Sequence, residues 1–243
     1  MTVIKGVEGV IFDVGGTLIY SNSQNFEHAN AWSAALKLRG WGYDLDSKAF
    51  ARDLVALRRR LPKEGEGYRQ INTTRETLLE VAETHNIRLS GEEVRRLEHA
   101  FYGPEIQGSA ALPGIIEVVR ALEPHVKLAV VSNTRSHYLI EGTVSKLGLR
   151  ELFEPFITSA GFGFRKPSPK LCEAVLDAWQ LPAENVVMVG DSLRKDVAPA
   201  KALGLHTIWQ KMDAEAEGEV RPDAVAERPE DVLGVLSRWK VKR

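Results

Sequence analysis

Four places in this 243-residue chain set a chemically capable side chain at the end of an apolar run or in the loop beside one. Asp13 closes the run 7–14 (VEGVIFDV), Ser132 and Asn133 follow 126–131 (VKLAVV), and Asp191 follows 186–190 (VVMVG). Lys166 stands in Arg165-Lys166-Pro167, ahead of a helical stretch. If the runs are strands of one sheet, a nucleophilic carboxylate, a second carboxylate for a metal, a hydroxyl and an ammonium converge on one crevice. That set suits a phosphate. Mg²⁺ and lysine offset its charge, serine and backbone N–H groups orient its oxygens, and aspartate attacks in line. Taken singly, each residue reads as a surface polar group at a strand end, and Asp191-Ser192 as the N-cap of the next helix. Their recurrence at strand ends is what argues for a site.

The elements that must position these residues are legible in the hydrophobic pattern. The run 7–14 is β-branched and apolar, a buried strand, and it ends at Gly15-Gly16, where the chain can bend tightly. From Leu112 onward helix and strand alternate. Helices are expected at 115–122, 136–147 (stopped by Gly148), 168–179 and up to Leu203, and strands at 126–131, 155–158, 186–189 and 205–209. Such alternation implies a parallel sheet with helices on both faces and ligands bound beyond the carboxyl ends of its strands. From about Asn25 to Pro104 the pattern is helical with strongly charged faces, as in Leu54, Leu57 and Leu61 among Arg52, Arg58, Arg59 and Arg60. Breaks near Gly40-Trp41-Gly42, 62–67 and 86–91 divide it into about four helices with no strand. The expected architecture is α/β: a doubly wound, Rossmann-like parallel-sheet core of residues 1–20 and 109–243, with an all-helical cap of residues 21–108 inserted.

Composition narrows the partners. Lys+Arg total 32 against Asp+Glu 33, a net charge of −1, so no field draws the chain to nucleic acid or to an anionic membrane. No apolar run is long enough to span a bilayer. The single cysteine, Cys172, excludes an intramolecular disulfide and a cysteine-built zinc site, and in its apolar helical context it reads as core. The first residues run into a strand pattern with no signal-peptide layout, so the expected location is cytoplasmic. The basic stretch 239–243 reads as a solvated end. The expected partner is a small phosphorylated substrate, and oligomeric state has no sequence signal.

The same residues resemble the haloacid dehalogenase superfamily. Its motifs are matched in order by Phe12-Asp13-Val14-Gly15-Gly16-Thr17-Leu18, Val131-Ser132-Asn133-Thr134, Lys166-Pro167, and Gly190-Asp191-Ser192 with Asp196 five residues after Asp191. The resemblance covers nearly the whole chain. It implies that Asp13 is the nucleophile, forming an aspartyl-phosphate, and also a Mg²⁺ ligand, with Asp191 the other side-chain ligand. It implies that Asp196 contacts metal-bound water or holds Lys166. Lys166 would neutralise the phosphoryl group and Asp13, while Ser132 and the backbone around Asn133 bind phosphoryl oxygens. Thr17 would support the loop and the nucleophile by hydrogen bonding.

One position departs from the pattern. Family phosphatases usually carry a second aspartate two residues after the nucleophile, which protonates the leaving alkoxide and then activates water; here it is Gly15. Glycine still offers the backbone carbonyl that contacts the metal in the family, but not the proton, a loss of about 10²–10⁴-fold in a general acid–base step. Four readings are open at this point. The substrate has a good leaving group, such as an acyl or aryl phosphate. Another group replaces the acid, Glu27 and His28 being nearest in sequence. The enzyme is a phosphonate (C–P) hydrolase using an insertion lysine, with Lys37, Lys48 and Lys63 available. Or the chain is a catalytically weak phosphate-binding relative. Family dehalogenases also lack this aspartate, but the metal-type Asp191 and Asp196 argue against that chemistry. Tyr68, Arg69, Arg75 and the run Arg58-Arg59-Arg60 are expected to be solvated helix residues rather than substrate contacts, and Trp32 and Trp41 packing residues.

Overall fold

The computed structural model describes residues 6–20, 23–211 and 220–239. Six strands form one parallel sheet: β1 (Gly9–Phe12), β2 (Lys127–Ser132), β3 (Phe156–Thr158), β4 (Val186–Gly190), β5 (His206–Gln210) and β6 (Ala224–Ala226), in the order β3-β2-β1-β4-β5-β6. The order reverses direction at β1, which lies between β2 and β4. Phe12 is level with Val130 on one side and Val189 on the other. The residues just past that line are therefore Asp13, Val131-Ser132 and Gly190-Asp191, and the register alone gathers them at one end of the sheet.

Side chains alternate across the pleat. Val10, Phe12, Val130 and Val189 face a cluster that includes α5 (Ile115–Leu122), α6 (His137–Lys146) and α10 (Asp231–Arg238). Ile11, Val131 and Met188 face the opposite cluster, built with Leu171, Cys172, Val175 and Trp179 of α8 (Lys170–Trp179). Cys172 is buried there, in the core.

Between β1 and α5 the chain forms α1 (Glu27–Gly40), α2 (Ser47–Arg60), α3 (Thr74–Thr84) and α4 (Gly91–Gly108), packed around their own core of Leu38, Phe50, Leu54, Leu78, Leu97 and Phe101. Reciprocal capping boxes start two of them, Thr73 with Glu76 and Ser90 with Glu93. Pro104 does not stop α4, although it deprives the Ala100 carbonyl of its helical donor. The Ser33 hydroxyl from α1 donates to that carbonyl at 2.7 Å, so the helix continues to Gly108 with no orphaned acceptor. The chain leaves and re-enters the sheet side by side, with Tyr20 N–H donating to the Ala110 carbonyl at 3.2 Å.

Two elements went unforeseen: the three-residue edge strand β6 and helix α10. Trp32 is a correction. Ala31, Ala34, Ala35 and Leu38 take the core face of α1, and Trp32, off that stripe, is 45% exposed on the outer face. Among the described residues no helix is long and apolar enough to cross a membrane. The stretches 1–5 and 240–243 lie outside the described residues.

Candidate active site

The turn after β1 is set by backbone bonds, Gly16 N–H to the Ile19 carbonyl at 2.7 Å and Leu18 N–H to the Val14 carbonyl at 2.8 Å. Gly16 has φ +83°, and a Cβ there would lie 2.2 Å from Asp191 Oδ2. Glycine thus serves twice, adopting a left-handed conformation and letting the turn rest against a carboxylate. Gly190, without a left-handed backbone, likewise permits a close approach to the neighbouring acid, since a Cβ on it would lie 2.4 Å from Asp196 Cγ. Asp196 itself sits in a single π-helical turn, Leu193–Val197, directly after β4.

These close approaches gather Asp13, Asp191 and Asp196, with one carboxylate oxygen from each lying within 4.8 Å of the others. Lys166 faces them, its ammonium 2.7 Å from Asp13 Oδ1, 2.6 Å from Asp196 Oδ1 and donating to the Val131 carbonyl at 2.8 Å. Asn133 fixes the backbone that carries this lysine. Its Oδ1 accepts from Lys166 N–H and its Nδ2 donates to the Lys166 carbonyl, both at 2.8 Å. The amide is thereby committed to the Lys166 loop. The N-cap role open to Asp191 falls to Ser192 instead, whose hydroxyl accepts from Lys195 N–H at 3.3 Å.

One ammonium against three carboxylates leaves negative charge in excess. Burial, then the charges of Asp13 and Asp196, raises the Asp191 pKa above the usual carboxylate range. Asp196 is likewise raised, by burial and then by Asp13 against the opposing pull of Lys166. Burial alone would lower Lys166, but Asp13 and Asp196 hold it above its ordinary value. Three hard oxygen donors with surplus negative charge form a donor set that suits Mg²⁺. They fit that ion better than a softer metal, because neither the single cysteine nor any histidine joins the cluster.

Near the cluster lies a cavity of about 570 Å³ walled in part by α1, α2, α4 and α6. Gly15, Ser132 and Asn133 line it; Asp13, Lys166, Asp191 and Asp196 are not themselves lining residues, but Asn133, which is, holds the Lys166 backbone. Thr17 is a correction. The turn that bonds its N–H to the Val14 carbonyl carries the side chain inward, where it is fully buried and its hydroxyl has no partner among the described residues. Its contribution is a carbonyl that accepts from Gln210 Nε2 at 2.9 Å.

The wall also holds residues that sequence reasoning passed over. Arg58, read as solvated, is half-buried. It donates to Thr74 Oγ1 at 3.1 Å and Tyr102 Oη at 3.3 Å, with its guanidinium 4.7 Å from the Phe101 ring centre. Arg135 and Arg165 are buried in the wall. Each adjoins a motif, Arg135 two residues after Asn133 and Arg165 directly before Lys166, and that adjacency was the available signal. Glu105 had none. It lies one residue beyond Pro104, buried, accepting from Asn30 Nδ2 at 2.7 Å, and burial pushes its pKa up to about 7.

The acids and lysines proposed from sequence divide. Glu27 lines the cavity but is paired with Arg59 at 2.8 Å. His28 is exposed in an outer groove with Trp32 and Lys48. Lys37 lies over the Trp41 ring. Lys63 is an exposed residue at the cavity wall, and desolvation against that wall, then Arg135, Arg165 and Arg58, lower its pKa. Arg75 pairs with Glu98 at 2.6 Å, and Arg69 lies over Phe164.

A family model described as haloacid dehalogenase-like hydrolase matches residues 7–204. The chain is 27% identical over 235 residues to a ribulose-1,5-bisphosphate 5-phosphatase of Halopiger xanaduensis, covering 94% of this chain and 97% of that one. It is 33% identical over 99 residues to a glyceraldehyde 3-phosphate phosphatase of Pyrococcus furiosus, covering 39% of this chain and 41% of that one. Among solved structures, a 2-haloacid dehalogenase from Pseudomonas syringae superposes with a TM-score of 0.71 at 21% identity, covering 96% of this chain and 100% of that one, a likeness of fold.

Proposed function

The chain belongs to the haloacid dehalogenase-like hydrolases, and from that premise we propose that it is a Mg²⁺-dependent phosphatase of a small phosphorylated metabolite, with Asp13 as nucleophile. The observation that carries this reading is the cluster of Asp13, Asp191 and Asp196 held against one buried lysine, at the edge of a cavity large enough for a metabolite. The names of the two curated relatives, both phosphatases of small phosphorylated compounds, support it.

The side chains take distinct roles. Asp13 attacks phosphorus through a carboxylate oxygen, the bond to the leaving oxygen breaks, and an aspartyl-phosphate forms. Lys166 and the Ser132 hydroxyl hold the phosphoryl oxygens, and Asn133 holds Lys166 in place. Asp13, Asp191 and the Gly15 carbonyl would hold Mg²⁺, which would supply charge neutralisation on the phosphoryl group, while Asp196 steadies Lys166. Residues 21–108 act as a cap over the cavity, excluding water and selecting substrate.

The leaving oxygen needs a proton that Gly15 cannot give. Of the two carboxyls that line the cavity among the described residues, Glu27 is engaged by Arg59, while Glu105, with its pKa near 7, still carries a proton in a large fraction of molecules at neutral pH. We assign the proton transfer to Glu105. The test is phosphate release from acetyl phosphate and from a hexose phosphate, with Mg²⁺ and with chelator. Turnover of both, lost on chelation, supports the reading; turnover of neither in the presence of Mg²⁺ sinks it.

Lys63 favours a second reading. An amine in the cavity with a lowered pKa is suited to condense with a substrate carbonyl, losing water to form an imine, as a phosphonate hydrolase requires. Borohydride trapping of a phosphonoaldehyde on Lys63 would favour it over the phosphatase.

A further inference from the structure

Five cations and two carboxylates line the cavity among the described residues. Arg59 is neutralised by Glu27. Arg58, Arg135 and Arg165 are not: among the described residues none makes an ion pair, and their hydrogen bonds go to neutral acceptors. Arg135 donates to the carbonyls of Arg58 and Leu61, at 2.9 Å to the first, and Arg165 to Gln70 Oε1, to Ser159 Oγ at 3.4 Å and to the Thr134 carbonyl at 3.5 Å. Arg135 is 7% exposed, yet its Nε–H, a strong donor, has no partner among the described residues.

Guanidinium groups stay protonated in proteins, so these are three buried or half-buried charges with no ion pair among the described residues, and Glu64, Glu27 and Glu105 act on Arg165, Arg135 and Arg58 only at longer range. They raise the potential on one another. Arg58 and Arg165 act on Arg135, and all three act on Lys63. Burying unpaired charge is costly, and a fold keeps it where something else supplies the opposite sign. The reacting phosphoryl group does not, because Lys166 and the cation that the carboxylate cluster would hold already serve it. A chain of net charge −1 has therefore concentrated positive charge in the wall between Ser132 and the helices α2 and α4.

We propose that Arg58, Arg135 and Arg165 form a second anion site, and that the substrate class is phosphomonoesters bearing a second anionic group, a phosphate or a carboxylate, at the end remote from the reacting phosphoryl. The proposal rests on the phosphatase reading for which phosphate is cleaved. The Arg135 Nε–H, the unpaired guanidiniums and the room in the cavity are what the second anion would use.

The experiment compares matched pairs: fructose 1,6-bisphosphate with fructose 6-phosphate, and 3-phosphoglycerate with glycerol 3-phosphate. For the wild type, kcat/KM is expected to be about 10- to 100-fold higher for the doubly anionic member of at least one pair, the factor a charge-assisted hydrogen bond supplies. Preference in the bisphosphate pair alone identifies a second phosphate; preference in both identifies any second anion. Arg58→Met and Arg165→Met should each bring that ratio toward one through a higher KM for the doubly anionic member. A merely structural role would slow both members alike and leave the ratio in place. Calorimetric binding of the same pairs to Asp13→Asn keeps the two claims apart. Tighter binding of the doubly anionic member without any wild-type turnover would uphold the anion site while the phosphatase reading failed. A wild-type ratio near one in both pairs, or a ratio that both variants leave intact, overturns the proposal.

Discussion

Replacing Glu105 with glutamine separates two consequences of one buried carboxyl. In the unfolded chain a glutamate titrates near 4.5, and burial in the cavity wall raises Glu105 to about 7. Below 4.5 it is protonated in both states and pH has no leverage. Between 4.5 and about 7 the native state binds more protons than the unfolded one, so its contribution to stability declines as pH rises, and the loss is complete above about 7. At about 1.4 kcal/mol for each tenfold change in proton affinity, that interval sets a ceiling of about 3 kcal/mol. Glutamine can still accept from Asn30 Nδ2 but never ionises. Denaturant unfolding at pH 5 and pH 8 should therefore show Glu105→Gln gaining on the wild type as pH rises, up to that ceiling. The same variant should turn over a hexose phosphate about 10²–10⁴-fold more slowly, the usual worth of a positioned acid, and acetyl phosphate far less so, because its leaving group needs no proton. A stability difference that does not change with pH would refute the buried ionisation. Unchanged hexose phosphate turnover would refute the proton transfer and return the gap at Gly15 to substrates with good leaving groups.

Gly16→Ala should destabilise the fold by about 1–3 kcal/mol in thermal or denaturant melts, since its Cβ would meet Asp191 from a left-handed backbone. It should also weaken the response to Mg²⁺, measured by calorimetry. Asn133→Ala removes two hydrogen bonds on the Lys166 loop and should lower kcat more than it raises KM, by about tenfold or more; an unchanged kcat would show that the loop holds itself. Mg²⁺ at about 100-fold over its Kd should stabilise the wild type by about 2.7 kcal/mol. Asp191→Asn should lose most of that gain, and an equal gain in the variant would place the ion elsewhere.

Much of this arrangement is legible in the sequence. Runs such as VKLAVV and VVMVG are apolar and β-branched, and a parallel sheet buries them on both faces, so hydrophobic pattern and fold agree. Asp13, Ser132, Asn133 and Asp191 could be placed because strand ends in such sheets lie together. The edge strand β6 could not. Ala-Val-Ala is three residues long with Val225 exposed, and no alternation can be read in so few positions. Glu105 was hidden for another reason. Proline one residue earlier signals the end of a helix, and it is the Ser33 hydroxyl, distant in sequence, that lets α4 continue past it. Arg58 was misread because a basic run on a helix is ordinarily solvated, whereas this one meets the wall of a cavity that only tertiary packing creates. Lys166 is the intermediate case, named by its motif but with its two carboxylate partners visible only in the fold.

The central claim is that Asp13 takes the phosphoryl group, and acid-quenched single turnover tests it most directly. Wild-type protein with Mg²⁺ and acetyl phosphate should yield a hydroxylamine-sensitive phosphoryl adduct that peptide mapping assigns to Asp13, and Asp13→Asn should yield none. Phosphate release with the adduct on another residue, or undiminished release by Asp13→Asn, would contradict the account.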